Sequence, residues 1–212
     1  MGHTIKAGKF FSEEERRRIK EATQSAESRT IGEIVVMVVG SSDLYREAEV
    51  FGGVLTGGIC SFIISVVFLD SSVWSFIPLA FLFFFPSWLL FRRFPALKIA
   101  FITRQRSEEA VRQKAFQVFY EKGLYRTKMN TGVLFFLSLL ERKVWVLADR
   151  GIYEKIDQET LNGFAEIVTR GIGHHNGCDA LCKAIGQIGE VLARHFPKTG
   201  DDTDELPDEV MT

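Results

Sequence analysis

Hydrophobic positions recur at helical spacing in both outer parts of the chain and run almost unbroken through the middle. From 51 to 91, 41 consecutive residues, Asp70 is the only acidic or basic side chain. Asp70, Ser71 and Ser72 divide this interval into 51–69 and 73–91, 19 residues each. A helix rises about 1.5 Å per residue, so each segment matches the roughly 30 Å of bilayer hydrocarbon. Thr56, Ser61, Ser65, Ser75 and Ser87 are small hydroxyls that can bond to their own helix carbonyls. The competing reading, two helices buried in a soluble core, asks the other 171 residues to surround two featureless apolar rods, and they are too few. A transmembrane helical hairpin is therefore expected. Trp74 and Trp88 stand where interfacial aromatic residues belong. Pro78 and Pro86 are expected to kink the second helix, and Gly53 and Gly57 form a GxxxG spacing for transmembrane packing.

A three-residue turn sends the chain back to the side it came from, so 1–50 and 92–212 share one compartment. Near the membrane the flanks carry Arg46, Arg92, Arg93, Lys98, Arg104 and Arg106, whereas the turn carries no Lys or Arg. The positive-inside rule then predicts a two-pass inner-membrane protein with both termini and the folded domain in the cytoplasm. Residues 1–30 are charged throughout and hold no apolar stretch of the signal-peptide kind.

Outside the hairpin the pattern changes to alternating elements. Ser12 and Glu15 have capping-box spacing, with Ile19, Ala22 and Ala26 behind them, which predicts a helix over 12–28. The run EIVVMVV over 33–39 reads as a strand that needs cover on both faces. Ser107, Glu108 and Glu109 suggest the start of a helix through Val111, Ala115, Val118 and Phe119, ending near Gly123. Residues 132–139 and 143–149 flank the polar turn Glu141-Arg142 as an antiparallel hairpin. Asp157 caps a helix with Leu161, Phe164, Ile167 and Val168 on one face, closed by Gly171, and a last helix carries Leu181 to Leu192. The domain is thus α/β with helices on both sheet faces, in two parts, 1–50 and 92–196. From Pro197 onward six acids stand against one Lys, which predicts a flexible acidic tail over 197–212.

A net charge of -1 gives no general basic field, so nucleic acid is not an expected partner. Three Cys, one inside the apolar interval, do not make an oxidised framework and fit a reducing compartment.

Phe11-Ser12-Glu13-Glu14, Gly32-Glu33-Ile34-Val35-Val36, Gly132-Val133-Leu134-Phe135, Glu141-Arg142-Lys143-Val144 and Ala148-Asp149-Arg150-Gly151-Ile152 follow one another in an order that resembles the TPM-domain family. The resemblance extends to His195-Phe196-Pro197 and Glu205-Leu206-Pro207-Asp208, and is strongest to the bacterial branch of predicted membrane proteins with a hairpin inserted in the domain. It implies a three-layer sandwich with a central sheet of about four strands. Relatives include a thylakoid-lumen protein linked to acid phosphatase activity, calcium-binding members and an auxiliary subunit of an animal ion channel, so no single chemistry is implied. Many relatives are extracytoplasmic with a C-terminal anchor, and this chain departs from that arrangement.

The positions matching the family's acidic loop and glycine-rich turn are Asn130, Asp149, Arg150, Gly151 and Glu154. Calcium takes six to eight oxygens. Asp149, Glu154, Asn130 and Glu33 could supply some, with Asn130 standing where many relatives have an acid. Lys128 and Arg150 are the candidate phosphate-binding residues. The structural reading of the same residues is a turn leaving a strand (Asp149, Gly151) and a ladder charge (Glu33). Phosphoryl transfer also needs a nucleophile or activated water, and no P-loop, HExxH or GxSxG is present. His174, Cys178 and Cys182 are spaced four apart, but Gly173 and Gly177 break the helix that would align them as metal ligands. The expected function is a non-catalytic, membrane-anchored accessory protein whose partners are the lipid bilayer and another membrane or membrane-associated protein. The alternative is a calcium-dependent phosphatase-like hydrolase.

Overall fold

The computed structural model describes residues 7–68, 73–127, 129–198 and 209–212. In chain order its elements are α1 (Glu13–Glu27), β1 (Glu33–Val39), α2 (Arg46–Phe68), α3 (Val73–Arg93), α4 (Pro95–Lys98), α5 (Arg104–Glu121), β2 (Gly132–Ser138), β3 (Lys143–Ala148), α6 (Arg150–Tyr153), α7 (Gln158–Gly173) and α8 (Gly177–His195). The chain forms two compact units, one around 43–107 and the other from 5–42 with 108–212.

The second unit is the α/β domain. Ser12 and Glu15 make the reciprocal capping box that opens α1. β1 pairs with β2 in parallel, Glu33 opposite Gly132 and Val39 opposite Ser138. β2 pairs with β3 antiparallel through the turn in which Arg142 takes a left-handed conformation. Alternation along the strands divides the apolar set in two. Ile34, Val36, Val133, Phe135 and Val146 face α1, α7 and α8, while Val35, Met37, Leu134, Phe136 and Leu147 face α5. This double burial is why β1 and β2 read as continuous apolar runs.

Three features depart from the sequence expectations. Among the described residues the sheet has three named strands instead of four, and the fourth position is filled by a single parallel bridge between Met37 and Met211. That bridge also corrects the view of 197–212 as wholly flexible. Pro197 bridges Thr30, and residues 209–212 lie against the domain because Val210 is apolar and buries itself in the larger core. Third, α7 continues past Gly171 to Gly173. Gly171 is instead a close-approach position, since a Cβ there would lie 2.1 Å from Ala180 Cβ, and the reversal is made by His175 at φ 57°.

The first unit contains α2, α3 and α4. Two of its helices are long and apolar enough to cross a membrane. α2 begins at Arg46, five residues before the apolar run, because its opening turn is set by Tyr45 in a left-handed conformation. α3 is continuous across Pro78 and Pro86. α2 presents small residues to α3: a Cβ at Gly53 would stand 3.1 Å from Trp88 Cα, and one at Gly57 would stand 3.1 Å from Phe84 Cα. Ser61 and Ser65 continue that stripe and are buried, with the Ser61 hydroxyl donating to Gly57 O at 2.7 Å. Small side chains allow two helix backbones to approach closely, which is how such pairs are held where lipid offers no hydrophobic drive. The expected turn at Asp70, Ser71 and Ser72 lies outside the described residues.

Candidate functional site

The α/β domain gathers several sequence-predicted residues at the end of the sheet where β1 and β2 begin and β3 finishes. Glu33 opens β1 opposite Gly132, and Asp149 follows β3, its amide donating to Gly132 O at 2.9 Å. Glu33 is buried. Asn130 adopts φ 53° in the loop before β2 and accepts the Gly151 amide at 3.1 Å. Thr127 fixes that loop by accepting the Thr131 amide on its hydroxyl at 2.9 Å. The loop and the turn are therefore in contact.

The turn needs glycine for a steric reason. A Cβ at Gly151 would lie 2.7 Å from both Asn130 O and Met129 O. Gly151→Ala is expected to push the 129–130 loop off the turn and cost about 1–3 kcal/mol, the usual range for overpacking. Urea unfolding of the purified chain measures it, and an unchanged midpoint would mean that the loop gives way freely.

The carboxylates have local partners. One Asp149 oxygen accepts the Arg150 amide at 2.7 Å as the N-cap of α6, and the other is buried without a hydrogen-bond partner. Arg150 Nε lies 3.3 Å from Glu154 Oε1 in an exposed pair one helical turn apart. Exposed pairs of this kind contribute little to stability. Among the described residues no group of three or more His, Cys, Asp or Glu is arranged to hold a metal ion. Lys128 lies outside the described residues. Nearby, burial pushes the Tyr153 phenol up, and the Thr160 amide holds the Asp157 cap of α7 below the usual carboxylate range.

The His174, Cys178 and Cys182 spacing does not fall on one helix. His174 caps the end of α7, and α8 starts at Gly177. Cys178 is buried in the larger core, and burial pushes its thiol from an ordinary 9.0 up to about 12. Between those values the unfolded chain loses a proton that the folded chain keeps. The stability contribution is therefore complete below pH 9 and falls as pH rises toward 12. Burial therefore keeps Cys178 in its unreactive thiol form at neutral pH. Alkylation with iodoacetamide, followed by mass spectrometry, should label Cys178 only after denaturation; rapid labelling of the native chain would contradict the burial.

At the opposite end of the sheet lies a polar network that motif reasoning missed. Glu141, in the β2–β3 turn, accepts the Ser42 amide at 2.9 Å and the Ser138 hydroxyl, while Ser42 and Ser138 hydroxyls are 2.8 Å apart. It fastens the chain leaving β1 to the hairpin turn. Glu141 was legible as part of a motif, but its partners are 99 and 3 residues away, and no local pattern joins them.

No family model matches this chain, and no curated protein does. A likeness of fold is found. The chain is similar to the NMR structure of the BA42 protein from the psychrophilic bacterium Bizionia argentinensis, with a TM-score of 0.61 and 20% identity, over 97% of each chain. At that identity the likeness concerns the mixed α/β fold alone.

Proposed function

We propose that this chain is a membrane-anchored accessory protein: a TPM-like α/β domain held at the cytoplasmic face of the inner membrane by its helical hairpin, acting through contact with a membrane or membrane-associated protein and without catalysis. The observation that carries this reading is the outer surface of the hairpin. Phe62, Phe68, Phe81, Phe85 and Leu89 are each more than half exposed. In water such a contiguous apolar surface is unfavourable by about 25 cal/mol per Å², a penalty that lipid removes.

The orientation is supported by the basic residues at the hairpin's open end. Arg92 and Arg93 fill the last turn of α3, with Arg92 over the Trp88 ring at 5.3 Å, an arrangement suited to a headgroup boundary. The non-catalytic reading is supported by the local uses of Asp149, as a helix cap, and of Arg150, beside Glu154. Protease treatment of intact spheroplasts tests the topology: residues flanking the hairpin should be protected, and digestion from outside would overturn the placement. The full chain in detergent should not hydrolyse a phosphomonoester. Turnover abolished by Asp149→Ala at unchanged Tm would overturn the accessory reading, and cross-linking in membranes would identify the partner.

A further inference from the structure

Two of the chain's three cysteines meet on one face of α8. Cys178 and Cys182 stand one helical turn apart, where Cβ atoms are about 5–6 Å from each other. Their thiols are in hydrogen-bond contact. The pair faces α1. Cys178 is buried in the larger core with its sulfur 3.7 Å from Glu15 O, while Cys182 packs against that core and is partly open to solvent. Arg18 of α1 interacts electrostatically with both thiols and is held in place by its ion pair with Asp179. Two soft donors, one sealed and one accessible, thus share a place with a fixed positive charge.

We propose that Cys178 and Cys182 form a two-coordinate binding site for a soft monovalent metal ion, Cu(I), at the contact of α1 with α8. The donor set selects the ion. Thiolate sulfur favours Cu(I), zinc and iron–sulfur clusters. Structural zinc and iron–sulfur clusters take four protein ligands, and among the described residues no third His, Cys, Asp or Glu joins the pair in a metal-binding group. His174, which lies four residues before Cys178, caps the end of α7 and belongs to a different helix. The Asp179 carboxylate is engaged by Arg18. Of the three, only Cu(I) is satisfied by two sulfurs. On binding, two S–H bonds break, two S–Cu bonds form, both protons pass to water, and no electron is transferred. The two thiolates and the ion together carry one negative charge, which the Arg18 guanidinium offsets. A free thiolate is not required beforehand, because the ion displaces the protons as it binds. Cys178 closes the inner side of the site, and the partly exposed Cys182 leaves the way in. The site stands on the cysteine pair and does not depend on the accessory reading.

The test titrates the reduced full chain in detergent, without oxygen, with Cu(I) held by the competing chelator bicinchoninate. One equivalent should bind, and X-ray absorption at the copper edge should show two sulfur neighbours. The loaded chain should melt at a higher temperature, since the ion stabilises the state that binds it, and Cys182 should become protected from iodoacetamide. Cys60→Ser, in the hairpin, should leave these readouts unchanged. Cys182→Ser should abolish the one-equivalent binding. Its side chain is only partly buried, so this variant decides the matter even if Cys178→Ser does not fold. Arg18→Gln should keep the stoichiometry and weaken affinity about tenfold, as expected for a group that supports ligands without touching the metal. Binding that survives in Cys182→Ser, three or more sulfur neighbours, or loss of all Cu(I) to the chelator would overturn the site. Arg18→Gln binding as tight as the wild type would overturn it as well, and so would binding lost in Cys60→Ser, which would move the ion to the hairpin cysteine.

Discussion

Replacing Lys98 with Met is expected to destabilise the hairpin unit by about 3–5 kcal/mol, the cost of leaving a buried charge without its partner. Lys98 follows α3 in the short helix α4, and its ammonium donates to Glu49 Oε1 at 2.5 Å and to Leu44 O at 2.8 Å. The Lys98 and Glu49 side chains are only 7% and 12% exposed. Water therefore cannot replace the lost ammonium, and both the Glu49 carboxylate and the Leu44 carbonyl are left unsatisfied. The nearby Arg106 cannot stand in, because its guanidinium is engaged with Asp43 and Glu47 and lies over the Tyr45 ring at 5.5 Å. The double variant Lys98→Met with Glu49→Leu should recover most of the loss, since a well-packed apolar pair often equals a buried ion pair. Denaturant unfolding in detergent of the wild type, both singles and the double gives the coupling energy. A Lys98→Met loss below about 1 kcal/mol would mean that the Glu49 carboxylate reaches solvent once the ammonium is gone.

Lys98 also marks where sequence reading reaches its limit. As one of six basic residues flanking the hairpin it was legible as charge, and that use needs no partner. Its burial was not legible, because the Glu49 it meets is 49 residues away and precedes the apolar run. Periodicity placed the main elements well for the opposite reason. The capping box of α1, the seven residues of β1 and the Asp157 cap of α7 are local, and each is written within a few adjacent positions. α5 starts at Arg104, three residues before Ser107, because a polar first turn has no apolar face to announce it. The candidate site divides in the same way. Asn130 and Gly151 were both singled out by their match to family motifs, and the structure joins them through one hydrogen bond and one forbidden Cβ, a contact that the motifs themselves did not state. Val210 and Met211 carried no such pattern, since two apolar residues after an acidic run acquire meaning only from the strand edge they meet.

Phe135→Ala should cost about 3–5 kcal/mol, the range for truncating a buried phenylalanine, and so consume much of the roughly 5–15 kcal/mol that holds an ordinary domain folded. Phe135 occupies the middle of the central strand, opposite Val36 on β1 and Val146 on β3, and is fully buried. Its ring faces the cluster in which Ile19 of α1, Val168 of α7 and Ile185 of α8 are also fully buried. Three helices pack on that face, and α7 and α8 are locked to each other at Gly171 by a contact too close for any side chain. They cannot all move inward to fill the space, so the cavity persists and its cost adds to the lost transfer energy. The neighbouring Phe136 makes an internal control. It is equally buried but points to the face covered by the single long helix α5, with Val118 and Phe119 in its cluster. One helix can settle toward a cavity more easily than three that brace one another, so Phe136→Ala should fall at the lower end of the same range. Urea titration of both variants at matched pH measures the difference. A larger loss at Phe136 would show that α5 is the more rigid cover and that the braced helices relax after all.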